Sequence, residues 1–248
     1  VPAGVTACTM HSLGKKALYN AHGKHKVSSY KTQDILKDIL GETEFKNVGW
    51  NFVSLVKKAV SLAKNTMLPL DFNEADWSSM VNHYSLDMND SEARIRELTR
   101  LILKKSAEQT NVIDFDDMIW LPVVMDLELT KFDVLFVDEA QDLNKSRQQL
   151  AVKAGERIVI VGDPKQAIYG FAGADAYSMR NMSNMLGEVV TLPLTVTRRC
   201  PKSHVTLAQS IVADIKAADI LRNNLDMCKS NREGKLLEEY LDDIYKTY

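Results

Sequence analysis

Hydrophobic residues recur with two different periods along this chain, and the change of period divides it. Residues 4–10 alternate, Val5, Ala7 and Thr9 against Thr6 and Cys8, which predicts a short strand. From His11 to about Asn111 the spacing is helical. Thr32 reads as the N-cap of a helix over residues 33–40, closed by Gly41. Trp50, Val53, Val56, Lys57 and Val60 fall at helical spacing, the apolar members forming one stripe. Asp90 or Ser91 caps a long helix through Ile95, Leu98, Ile102 and Leu103. Its Lys104 and Lys105 stand near the C-terminal end, where the helix dipole favours cations.

Past Asn111 the pattern changes. FDVLFV (residues 132–137) and RIVIV (residues 157–161) are nearly all apolar, which suits strands buried on both faces in a parallel sheet. Residues 144–154 between them predict the crossover helix of a βαβ unit. A third strand is expected at residues 188–192, a helix over 203–218, and a charged amphipathic helix from Lys235.

Composition narrows the class. The chain has 248 residues, 31 Lys and Arg against 33 Asp and Glu, and 45% hydrophobic content. That is enough apolar material to build a core, and it argues against disorder. No apolar run approaches the ~20 residues of a membrane span. A net charge of -2 excludes a histone-like polycation but leaves room for a local nucleic-acid surface. The three cysteines, Cys8, Cys200 and Cys228, form no C-x-x-C pair, so they read as buried thiols in a reduced, intracellular setting. The first residue is Val1, and no signal peptide follows it.

Both apolar runs end in carboxylates. The first continues as Asp138-Glu139-Ala140-Gln141-Asp142, the second as Gly162-Asp163-Pro164-Lys165-Gln166. In open α/β sheets the ligand site lies beyond the carboxyl ends of the strands. Strands often end in Asp simply because a turn follows. Two acid-tipped neighbours aimed at one crevice, with Gln141 and Gln166 at matching places, point instead to phosphoryl transfer. There one Asp holds Mg²⁺, an adjacent Glu polarises the attacking water, and a Gln senses the terminal phosphate.

These stretches resemble the UvrD-like superfamily 1 DNA helicases. VDEAQD (residues 137–142) is similar to their motif II. GDPKQAIYGFAGAD (162–175), the most specific piece, is similar to motif III, and LTVTRRCP (194–201) to motif IV. ACTMHSLG (7–14) resembles motif Ib, and IDFDDMI (113–119) a segment these proteins carry before motif II. The resemblance extends to about Ser210. It implies a RecA-like P-loop NTPase motor domain, an α/β fold with a parallel sheet, carrying an inserted all-helical subdomain. Residues 1–11 and 112–193 would form part of the first motor domain, 12–111 the helical insertion, and 194–248 the start of a second motor domain. It further implies ATP and Mg²⁺ as cofactors and single-stranded DNA as partner, tracked 3′ to 5′. Asp138 would hold Mg²⁺ and Glu139 would be the catalytic base. Gln166 would contact the γ-phosphate, and Arg199 would be an arginine finger. Tyr169 and Phe171 would stack on bases, with burial in a core as their alternative. Thr9 and His11 would touch the strand backbone. A cytoplasmic setting in a bacterial or phage-infected cell goes with this, with no membrane partner and the oligomeric state open.

Three departures matter. Arg198 stands where the family has a Tyr that stacks on adenine, so a guanidinium would have to take that place. Ala172 replaces a frequent Arg of motif III. No G-x-x-x-x-G-K-[ST] occurs: Gly-Lys is found at Gly14, Gly23 and Gly234, but five positions earlier stand Thr9, Leu18 and Lys229. Truncation at both ends accounts for the missing P-loop and the missing arginine motif VI, and the isolated chain is then expected to be a poor ATPase. The alternative is a single-strand-binding module that never hydrolyses ATP.

Overall fold

The structure, a computed structural model, describes residues 3–167, 177–197, 199, 200 and 202–217. The chain divides into two compact units, Val1–Glu188 and Val189–Tyr248.

The first unit opens with a departure from expectation. Residues 5–9 form no strand; they find no ladder partner among the described residues and lie exposed. Thr9 instead starts helix α1 (Met10–His22), its hydroxyl accepting the Ser12 N–H at 3.2 Å. Gly23, at φ 79, ends that helix by donating to Tyr19 O. After β1 (Lys26–Val27), helix α2 spans Lys31–Leu40. It begins before Thr32, which is no cap: its hydroxyl turns inward to Asp114 Oδ2 at 3.4 Å. Gly41 closes α2 as expected.

Helices α3 (Glu42–Asn47), α4 (Gly49–Asn65), α5 (Glu74–His83) and α6 (Glu92–Glu108) follow. Val53, Val56 and Val60 of α4 and Ile95, Leu98, Ile102 and Leu103 of α6 join one buried core that runs from Leu18 to Leu121. Each such side chain contributes about 1.5–3 kcal/mol by leaving water. Trp50 does not share the stripe; it is 75% exposed at the first turn of α4. Ser91 precedes α6 without a side-chain cap bond, whereas Asn73 and Asp76 form a reciprocal capping box on α5.

A knot of buried charge ties α2 and α4 to the segment β2 (Val112–Ile113) and α7 (Asp117–Val124). Lys31 Nζ donates to Asp117 Oδ2 at 2.6 Å and to the carbonyls of Ser106 and Gln109. Lys64 Nζ reaches Asp114 Oδ2 at 2.7 Å and Asp117 Oδ1 at 2.8 Å. Burial opposes ionisation of Asp117, but Lys64 and Lys31 outweigh it and hold its carboxyl below the ordinary range. Burial likewise pulls the Lys31 ammonium down, and Asp117 restores only part of that. For Lys64 the two carboxylates win over burial, and its pKa is raised.

Strand β3 (Phe132–Val137), helix α8 (Lys145–Ala154) and strand β4 (Gly155–Ile160) make the expected parallel βαβ unit. Asn144 caps α8 by accepting the Arg147 N–H at 2.9 Å. Gly155 is needed at the tight entry to β4, since a Cβ there would lie 2.8 Å from Leu135 Cβ. Leu135, Val137, Ile158 and Ile160 pack against α8 and α9 (Ser178–Leu186). The opposite face is open rather than buried, with Phe136 71% exposed beside Val134, Val159 and Val161. Helices cover one face only, so the two-sided burial expected of these runs is not found among the described residues.

The expected strand at 188–192 is also absent. That run has no ladder partner, and Val190 and Leu192 are exposed. In the second unit β5 (Val196–Thr197) pairs in parallel with β6 (Lys216–Ala217). Helix α10 (Lys202–Ala208) is shorter than the expected 203–218. Past Ala208 the side chains of Ser210 and Gln209 bond Leu207 O and Ile215 O, competing with helix continuation. Cys8 is exposed and Cys200 half-buried, both free thiols, which corrects the reading of buried cysteines; Cys228 and the helix from Lys235 lie outside the described residues.

Candidate functional site

The parallel register sets Val137 opposite Ile160, and the ladder runs on through Val161 N–H to Val137 O (2.8 Å) and Ala140 N–H to Val161 O (2.9 Å). The two acidic strand ends therefore emerge side by side. Asp138 is exposed, and its Oδ1 accepts the Glu139 N–H at 3.0 Å. Glu139 sits at φ 50, ψ 42 in the left-handed region, which costs a non-glycine residue about 1–3 kcal/mol. Its Oε2 accepts a 2.7 Å bond from Gln141 Nε2.

Gln141 is buried, and its Oε1 accepts the Asp163 N–H at 3.1 Å. The Asp163 carboxylate in turn accepts from Lys165 N–H at 3.0 Å and from Gln166 Nε2 at 2.8 Å. Gly162 must be a glycine, because a Cβ would fall 2.4 Å from Gln141 Oε1. Ser178 Oγ fastens the turn from below by donating to Ala140 O at 2.6 Å. Asp138, Glu139 and Gln166 are thus brought to one edge of the sheet, joined through Gln141 and Asp163. The donors available are hard carboxylate and amide oxygens, which fit Mg²⁺. Among the described residues no three His, Cys, Asp or Glu side chains converge as a closed metal cage. Mg²⁺ bound through one or two carboxylates, water and substrate phosphates needs none.

Thr9 and His11 lie at the N-terminus of α1, where Met10 packs into the core beneath β3 and α8. The His11 ring meets Phe115 edge to face at 6.2 Å. Burial and the nearby Arg147 lower the His11 pKa against the pull of Asp116, which favours a neutral imidazole at neutral pH. Phe115 is 59% exposed, a large aromatic face held out between acids. It walls a pocket of about 220 Å³ shared with Ser29, Thr32, Lys57, Ser61, Asp114 and Asp116. Burial raises the Asp116 pKa, although Ser61 Oγ donates to its carboxylate at 2.6 Å. Among the described residues Arg147 Nε is buried without a hydrogen-bond partner.

Phe115 and Gln141 carry more of the site than the motifs suggested. Phe115 had a signal, an aromatic flanked by Asp114 and Asp116 where burial is disfavoured. Arg199, in the second unit, is exposed and donates its N–H to Thr197 Oγ1 at 3.3 Å. Tyr169, Phe171 and Arg198 lie outside the described residues.

A family model, the UvrD/REP helicase N-terminal domain, matches residues 3–186. The chain is 28% identical over 120 residues to the ATP-dependent DNA helicase PcrA of Staphylococcus aureus (strain Mu50 / ATCC 700699), covering 44% of this chain and 16% of that protein. It is 27% identical over 120 residues to PcrA of Staphylococcus epidermidis, again covering 44% and 16%. It is 25% identical over 229 residues to the ATP-dependent DNA helicase Rep of Buchnera aphidicola subsp. Baizongia pistaciae, covering 85% of this chain and 32% of that protein. The chain thus spans between a sixth and a third of the length of these relatives. Among the described residues no helix is long and apolar enough to cross a membrane. With a match over most of its length, and a parallel strand–helix–strand unit of the kind a RecA-like helicase fold requires, the chain belongs to the UvrD/REP helicase family.

Proposed function

We propose that this chain supplies the nucleotide-facing strand ends and part of the single-strand track of an ATP-dependent DNA helicase or translocase. The observation that carries the reading is the juxtaposition of Asp138, Glu139 and Gln166 at one sheet edge. Asp138 would hold Mg²⁺, which when bound would supply positive charge against the phosphates. Glu139 takes a proton from the attacking water, and Gln166 touches the γ-phosphate. In the intact protein Arg199 would offset transition-state charge as part of a second motor domain that begins near residue 194, and Arg198 would take the role of the family's adenine-stacking Tyr. The helical stretch 12–111 is an insertion into the first motor domain, built from 1–11 and 112–193.

Single-stranded DNA passes over Thr9 and His11 and stacks on Tyr169 and Phe171, moving 3′ to 5′. Phe115, exposed beside His11, adds a stacking face, and Arg147 a phosphate contact. Stacking contributes about 1–3 kcal/mol per base whatever the base. Anisotropy titration of the chain with a labelled oligo-dT tests this. Tyr169→Ala and Phe171→Ala are each expected to weaken binding about 5- to 150-fold, with affinity falling steeply as salt rises. Unchanged affinity in both variants defeats the track.

A second reading is a strand-binding module without hydrolysis; the 248 residues themselves contain no G-x-x-x-x-G-K-[ST] cradle. The chain by itself is accordingly expected to turn ATP over at near background with and without single-stranded DNA. Robust turnover that Glu139→Gln abolishes overturns that expectation. The gene sequence upstream of Val1 separates motor from module, because only the motor needs a phosphate cradle there.

A further inference from the structure

We propose that Gln141 is a positioning residue that carries movement of the Gln166 turn to the Glu139 carboxylate. The chemistry of its partners fixes its orientation. The Asp163 N–H can only donate, so it must meet Gln141 Oε1, at 3.1 Å. The Glu139 carboxylate, when ionised, can only accept, so it must meet Gln141 Nε2, at 2.7 Å. A flipped amide would set donor against donor and acceptor against acceptor. The side chain is 3% exposed, so its amide rests on these two partners rather than on bulk water.

The same turn holds the second half of the path. Gln166 Nε2 donates to Asp163 Oδ2 at 2.8 Å, and the N–H of that same Asp163 is the one bound by Gln141. A shift of Gln166 therefore moves Asp163 and pulls on the Gln141 amide, whose other end holds Glu139. Slack is small. Gly162 lets the two strand ends approach until a Cβ would overlap Gln141 Oε1, and Glu139 is pinned in a left-handed turn. The importance of the link for water activation rests on the reading of Glu139 as the catalytic base; the link itself does not.

The test needs neither nucleotide nor DNA, so its failure is separable from failure of the helicase reading. The ¹⁵N-labelled 248-residue chain is observed by NMR, with the Gln141 side-chain NH₂ pair identified by its loss in Gln141→Glu. Glu139→Ala is expected to shift that pair, which reports the contact. Gln166→Ala is expected to shift it too, and Glu139→Ala to shift the Gln166 NH₂ pair, since coupling between sites is reciprocal. On an Asp163→Ala background the effect of Gln166→Ala on Gln141 should vanish. Exchange of the Asp163 N–H should quicken about fivefold in Gln141→Leu, which removes the acceptor. If Glu139→Ala moves the Gln141 pair while Gln166→Ala leaves it still, Gln141 is a static rivet and the proposal is overturned. If neither moves it, the contact itself is refuted.

Discussion

Two clusters of acids in this chain sit in opposite settings. In the helical part Asp117 is fully buried, takes bonds from Lys31 and Lys64, and exchanges caps with Asp114 through the Asp117 N–H to Asp114 Oδ1 bond at 2.8 Å. At the strand ends Asp138 and Glu139 are exposed, face no cation among the described ion pairs, and include a strained backbone. The sequence spells both as short acidic runs, D-F-D-D and D-E-A-Q-D. Burial with paired cations marks an acid that holds the fold. Exposure and a strained backbone fit the ligand-facing role proposed for Asp138 and Glu139.

The largest effect expected follows from breaking the first cluster. Asp117→Ala leaves the buried Lys31 ammonium without a carboxylate and Lys64 with Asp114 alone, and should cost about 3–5 kcal/mol, read as a lower urea midpoint with unchanged slope. Asp138→Asn, at the exposed end, should shift stability by less than about 0.5 kcal/mol. Equal losses in the two variants would erase the distinction. The cluster also has a pH signature. A carboxyl held below its ordinary pKa contributes stability that is present above about pH 3.9 and lost as pH falls through the folded value. Wild type should therefore lose stability in acid more steeply than Asp117→Ala does.

The next effect concerns binding rather than folding. Phe115→Ala should weaken single-strand binding about 5- to 150-fold by anisotropy, with a thermal midpoint close to wild type because more than half of the ring already faces solvent. A fall in stability with unchanged affinity would make Phe115 a packing residue. Gly162→Ala is smaller and mixed. The added Cβ meets Gln141 Oε1 and should cost about 1–3 kcal/mol in denaturant titration. A neutral substitution would show that the two strand ends are not held as closely as the geometry requires.

How much of this was legible beforehand depended on range. The βαβ unit was readable because two apolar runs flank residues 144–154, all of it local. The pairing of Asp138, Glu139 and Gln166 followed, since parallel strands put their carboxyl ends together. Residues 5–9 and 188–192 misled because alternation or apolarity makes a strand only where a neighbour offers a ladder. Trp50 misled because periodicity marks a face, not where along the helix its cover ends. The Lys31–Asp117 bond spans 86 positions, and no local pattern announces it. The inward turn of Gln141 depends on the left-handed Glu139, a conformation that residue type argues against.

Asp116 sharpens the contrast with the smallest effect. It belongs to the same acidic run as Asp117 yet departs in the other direction: burial raises its pKa, and no ammonium outweighs that. A carboxyl whose folded pKa lies above its unfolded one binds its proton more tightly when folded. It therefore adds stability as pH falls through the folded value and costs stability when ionised at neutral pH. Asp116→Asn keeps an oxygen for the Ser61 hydroxyl, now bonded at 2.6 Å, and removes the charge. Its urea midpoint should exceed wild type at pH 7, and the advantage should shrink toward pH 4. A variant less stable than wild type at pH 7 would mean that the ionised carboxylate is required there. Asp116 would then belong with Asp117, among the acids that hold the fold.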